Sequence, residues 1–158
     1  MSLRQSTDAT AFSGGRIVPL GASQARLIVN QPQGDWCESA LKRLDELAAL
    51  QPGWDGYSGV PVSFSNANFA VKVLEAVCGL DSRPPQIVPG SNGDLQLEWH
   101  FPNGTIELHV RAANDVLAWY RDDSTGPDGI ELPMTTNFIA AAKWLEDLES
   151  ASAAAAAA

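Results

Sequence analysis

The chain has 158 residues, 45% of them hydrophobic, with ten Lys and Arg against nineteen Asp and Glu and a formal net charge of -9. That length suits one domain and that apolar share supports a packed core, which excludes an acidic disordered chain. The charge disfavours direct nucleic-acid binding, because affinity for phosphate backbones comes largely from Lys and Arg displacing counterions, and it suits a protein partner with a basic surface.

Residues 1–15 are rich in Ser, Thr, Ala and Gly, end in Gly14-Gly15, and are expected to form a flexible N-terminal arm. Two β-prone runs follow, Arg16-Ile17-Val18 and Arg26-Leu27-Ile28-Val29, around the turn-like Pro19-Leu20-Gly21-Ala22-Ser23. They read either as an edge hairpin or as an arm lying across a partner. A first helix is expected from Asp35, where Asp35 and Glu38 stand at capping-box spacing. Leu41, Leu44, Leu47 and Ala48 then recur at helical period, and Pro52-Gly53 ends the run.

A second helix follows Pro61, with Ser63 or Ser65 as its N-cap and Phe69, Ala70, Val73, Leu74 and Val77 facing inward. Gly79 and Arg83-Pro84-Pro85 stop it. Cys37 and Cys78 fall on these two helices without CxxC spacing, as buried thiols of a reducing compartment would. No apolar run approaches the ~18 residues of a membrane span, and the N-terminus lacks a hydrophobic signal core, so the expected location is cytoplasmic with no membrane partner.

From Gln86 the period changes to two. Gln86-Ile87-Val88 is a short strand, closed by a Pro89–Gly93 turn. Leu95, Leu97, Trp99 and Phe101 then alternate with Gln96, Glu98 and His100, and beyond Asn103-Gly104 Ile106, Leu108 and Val110 alternate with Glu107, His109 and Arg111. Asn-Gly is the strongest short hairpin signal. With those two as the loop, Trp99 faces Leu108, Leu97 faces Val110, and six apolar residues share one face. A third strand spans Val116–Tyr120 after Ala113-Asn114-Asp115, and Ile130-Glu131-Leu132 is a short fourth. A last helix from Thr135 or Thr136 buries Phe138, Ile139, Ala142, Leu145 and Leu148.

The expected fold class is therefore α+β, with two N-terminal helices, an antiparallel β-meander of three to four strands, and a C-terminal helix packed on one sheet face. A single domain covers 16–150, and 151–158 form an Ala-rich tail without side-chain information. The sequence sets no oligomeric state.

Gly53-Trp54-Asp55-Gly56-Tyr57 is the most distinctive segment. Two glycines permit positive φ and let the backbone present an Asp and two rings. Trp54 plugging the core with Asp55 as a turn cap is the plain reading. The functional reading makes Trp54, Asp55 and Tyr57 a recognition loop, since Trp and Tyr are favoured interface anchors.

The segment from Leu41 to about Tyr120 resembles a group of small, largely uncharacterised bacterial proteins of mobile-element neighbourhoods. The shared pieces are the Leu41/Leu44/Leu47 helix, Gly53-Trp54-Asp55-Gly56-Tyr57, Pro61, Pro85-Gln86-Ile87-Val88-Pro89, and Gly93-Asp94-Leu95-Gln96-Leu97-Glu98-Trp99. The usual Asp-Gly ahead of the strand is inverted here as Gly93-Asp94, and Ser58-Gly59 stands where Gly-Ala is commoner. The resemblance implies an accessory protein of antitoxin-, immunity- or defence-associated type, and it carries no catalytic residue to transfer.

The polar face of the hairpin is the second candidate. In the register above His100 opposes Glu107, Glu98 opposes His109, and Gln96 opposes Arg111. Such a face is ordinarily solvated and laced by weak cross-strand pairs. It also has the residue types of a binding face, of a zinc or other divalent site, or of an acid/base pair. No P-loop, HExxH or Ser–His–Asp order is present. The expectation is a non-enzymatic protein-binding module with no cofactor and no metal ligand assigned. The alternative is a small metal-dependent enzyme, or a metal-binding protein, using the His/Glu face.

Overall fold

The computed structural model describes residues 34–158 and the backbone of two short strands before them. Those strands, β1 (Arg16–Pro19) and β2 (Arg26–Val29), pair antiparallel as a separate two-stranded sheet, with Arg16 opposite Val29. The expected arm over 1–15 lies outside the described residues.

Helix α1 (Trp36–Ala48) buries Trp36, Cys37, Ala40, Leu41, Leu44 and Leu47 on one stripe. Its start corrects the capping-box reading. Asp35 has helical φ/ψ and makes no side-chain cap, so its carboxylate is not aimed at the first-turn amides. The start is instead pinned from outside: Asp35 N–H donates to Leu80 O (3.2 Å) and the Trp36 indole to Gly79 O (3.0 Å). At Gly34 a Cβ would lie 2.2 Å from Leu80 O, so only glycine fits this crossing.

Helix α2 (Phe64–Val77) is capped by Ser63, whose hydroxyl accepts from Asn66 N–H. It is buried around most of its circumference, from Asn66 and Ala67 to Val77. A helix apolar on so many sides belongs inside the fold. It touches the sheet, α1 and the last helix, and β2 runs beside it.

The main sheet has five antiparallel strands in chain order: β3 (Gln86–Pro89), β4 (Leu95–Phe101), β5 (Gly104–Ala112), β6 (Asp115–Asp122) and β7 (Ile130–Met134). The meander is thus one strand longer than expected, because Gln86–Pro89 pairs with β4 instead of standing apart. The alternation puts Leu97, Trp99, Ile106, Leu108, Val116 and Ala118 on the inner face, all within 1% of complete burial. Helix α3 (Ile139–Ala156) packs against β4, β5 and β6 on that face.

The β4–β5 register differs from the expected one by two residues. Phe101 pairs with Gly104, Trp99 with Ile106, Leu97 with Leu108 and Leu95 with Val110. The loop is Pro102-Asn103, and neither Asn103 nor Gly104 has the positive φ that an Asn-Gly type I′ turn demands. Pro-Asn-Gly at the last three of four turn positions suits a turn without left-handed residues, where proline pre-sets φ at the second. Gly104 serves packing: a Cβ there would lie 2.4 Å from Arg121 O and 2.8 Å from a Leu148 methyl. A two-residue slip preserves faces but changes neighbours.

The last helix starts later than the threonines suggest. Asn137 Oδ1 accepts from Ile139 N–H at 3.0 Å, and the buried stripe is Phe138, Ala141, Leu145 and Leu148. Ile139, expected inside, is 75% exposed. Trp144 stacks flat on Tyr120, with centroids 4.8 Å apart. The helix continues through the alanine run to Ala156, as the strongest helix former allows. Among the described residues no helix is long and apolar enough to cross a membrane.

Candidate functional site

The Gly53–Tyr57 loop is built by its own polar groups. Gly53 and Gly56 take φ of +80° and +84°, the left-handed region that side chains disfavour. Gly53 N–H donates to Gly59 O (2.7 Å) and Gly56 N–H to Gly53 O (2.9 Å). Asp55 Oδ1 sits at the centre and accepts from Tyr57 N–H and Gly59 N–H, each at 2.9 Å. These amide bonds hold the Asp55 carboxyl below its ordinary range, outweighing the opposing effect of burial. At Gly59 a Cβ would lie 2.7 Å from the carboxylate carbon, so Gly59 makes room for the acceptor.

Beyond the loop the chain is fastened at several points. The Trp54 indole donates to Val60 O (3.0 Å), Val60 N–H to Ser91 O (3.0 Å), and Val62 N–H to Leu47 O (3.2 Å). Ser63 N–H and the Asn66 amide both donate to Gly93 O, at 3.1 and 2.8 Å. The loop is thereby tied to α1, to α2 and to the β3–β4 turn. Its three singled-out residues divide. Trp54 is half-buried and hydrogen-bonded, Asp55 organises the backbone, and Tyr57 projects with 90% of its surface exposed. Two further exposed apolar residues, Val60 and Phe64, follow within seven positions.

The outer sheet face carries all five polar residues noted in the sequence, with different neighbours from those expected. Glu98 opposes Glu107, Gln96 opposes His109, and His100 opposes Thr105; neither His–Glu cross-strand pair forms. His100 Nε2 turns along its own strand to Glu98 Oε2 at 3.1 Å. His109 Nε2 contacts Asp94 Oδ2, across the β3–β4 turn. Burial would raise the Asp94 carboxyl, but His109 and the Asn92 and Asp94 amides prevail and keep it below the ordinary carboxylate value. Arg111 is drawn to Asp115. Among the described residues no three His, Cys, Asp or Glu side chains converge in a way that could hold a metal ion.

Sequence reasoning missed Trp119 and Glu131. Continuing the row of Glu98 and Glu107, Trp119 of β6 opposes Glu107 and Glu131 of β7 opposes Trp119. Gln96, Glu107, His109, Leu117, Trp119 and Glu131 line a cleft of about 290 Å³. A parity argument finds Trp119, since Val116 and Ala118 face inward and leave Leu117 and Trp119 outside.

Neither cysteine is in a disulfide; Cys37 is buried and Cys78 partly so. Burial, seconded by the charge of Glu149, pushes the Cys78 thiol up to about 12, which makes it a poor nucleophile. Compared with protein-family models, curated proteins and solved structures, the chain matches none.

Proposed function

We propose that this chain is a non-enzymatic protein-binding module that presents Tyr57 to its partner. One observation carries the reading: a tyrosine ring with 90% of its surface exposed stands on a loop fixed by glycine geometry and by the Asp55 carboxylate. Ordering such a loop has an entropic cost that a plain connector avoids, and a backbone already fixed beneath the ring loses little further freedom on binding. Tyrosine supplies a large rigid surface with a polar tip, which is why it anchors interfaces.

The resemblance of residues 41–120 to mobile-element proteins supports an accessory role of antitoxin-, immunity- or defence-associated type. The absence of a disulfide between two cysteines suits a cytoplasmic setting, and a net charge of -9 suits a basic partner surface. The test is affinity capture from the native host with wild type, Tyr57→Phe and Tyr57→Ala in parallel. A partner retained by the first two and lost by the third supports the reading; equal recovery with all three contradicts it.

A further inference from the structure

The outer cleft has a construction that the Tyr57 loop does not explain. Trp119 lines it and is fixed from the side: at Gly129 a Cβ would lie 2.2 Å from Trp119 Nε1, so bare backbone presses on the ring edge. Cross-strand neighbours place a carboxylate on either side, Glu107 on β5 and Glu131 on β7. Among the described residues neither carries an ion-pair or hydrogen-bond partner. The nearby cations are paired with other carboxylates, Arg111 with Asp115, His109 with Asp94 and Arg121 with Asp123 at 2.8 Å, although Arg121 also lies over the Trp119 ring. Glu107 also stands directly opposite Glu98, a like-charge juxtaposition that disfavours folding.

An aromatic side chain standing between two carboxylates without counter-ions suits a planar cation. The ring face attracts positive charge and the carboxylates accept from a fork of N–H donors, which is the chemistry of guanidinium. The protein itself supplies a precedent, since the Arg121 guanidinium carbon lies 5.8 Å from the Trp119 ring centroid. A volume of about 290 Å³ is at the floor of what small-molecule sites occupy and suits one long side chain. We propose that this cleft receives an arginine side chain of a protein partner. It rests on the protein-binding reading for the kind of partner, but on different residues from Tyr57.

The test uses the full chain, ¹⁵N-labelled, with acetyl-Gly-Arg-Gly-amide as probe and its citrulline and lysine counterparts as controls. The indole N–H signal of Trp119, assigned through Trp119→Phe, is followed during titration. The arginine peptide is expected to shift it saturably, with citrulline about tenfold weaker and lysine between them. The double variant Glu107→Gln/Glu131→Gln is expected to lose the arginine response by a similar factor while keeping the dispersed spectrum of a folded protein. Tyr57→Ala is expected to leave the response intact, so that the failure of either reading is told from failure of the other. Equal shifts with arginine and citrulline, a response unchanged in the double variant, or lysine matching arginine would each overturn the assignment.

Discussion

Trp99 offers the most severe test of the fold. It is 1% exposed on the inner face of β4, opposite Ile106, and its indole N–H donates to Arg83 O at 2.9 Å. Trp99→Ala removes a side chain whose loss from a core costs about 3–5 kcal/mol, including the cavity left behind. The carbonyl of Arg83 also loses its donor, which adds up to about 1–3 kcal/mol where no water replaces it. Against a total stability of about 5–15 kcal/mol, the alanine variant is expected to be partly or wholly unfolded. Trp99→Phe keeps most of the bulk and loses the hydrogen bond, so it is expected to stay folded with a loss of about 1–3 kcal/mol. Equilibrium urea unfolding reads both, with an unchanged slope showing that the transition remains two-state. Losses under 1 kcal/mol for both variants would refute the placement of Trp99 and with it the assignment of the inner face.

Three further outcomes follow from the same geometry. Gly104→Ala is expected to destabilise by about 1–3 kcal/mol in urea, because its Cβ meets the backbone oxygen of Arg121 and cannot be accommodated by a side-chain rotation. Glu107→Gln is expected to raise stability by a few tenths of a kcal/mol, by relieving the Glu98–Glu107 repulsion, and thermal unfolding at low salt reads it. Asp55 and Asp94 both have folded carboxyls below their ordinary values, so each contributes stability that is present above about pH 4 and lost as pH falls through the folded value. Melting temperature followed from pH 6 to pH 2.5 is therefore expected to fall more gently for Asp55→Asn than for wild type.

The faces of the sheet were legible because the side-chain period of two is independent of which residues pair. Pairing itself was not. Asn103-Gly104 carries a turn signal, yet Gly104 is glycine because Arg121 and Leu148 crowd it, a reason visible only once β6 and α3 are in place. The resulting two-residue slip turned an expected Glu98–His109 pair into a Glu98–Glu107 pair. The capping box at Asp35 failed for a similar cause, since contacts from residues 79 and 80 decide where α1 begins. The Gly53–Tyr57 loop was legible as an organised turn, with Gly53, Gly56 and Asp55 in the roles their chemistry suggests. The division of labour between its rings was not, because the Trp54 indole is held by the Val60 carbonyl and Val60 in turn by Ser91 of the β3–β4 turn, a long-range tie that no local pattern shows. Trp119 was hidden by a strand whose two faces are both partly apolar.

The proposed role makes Tyr57 a contact and its loop a fixed mount. The most direct measurement pairs the melting temperature of Tyr57→Ala with its affinity for the captured partner, by calorimetric titration of the purified proteins. An interface anchor leaves the melting temperature unchanged and costs about 2 kcal/mol or more of binding when truncated, and that is the expected result. An unchanged affinity, or a loss that merely tracks the unfolded fraction, would contradict it.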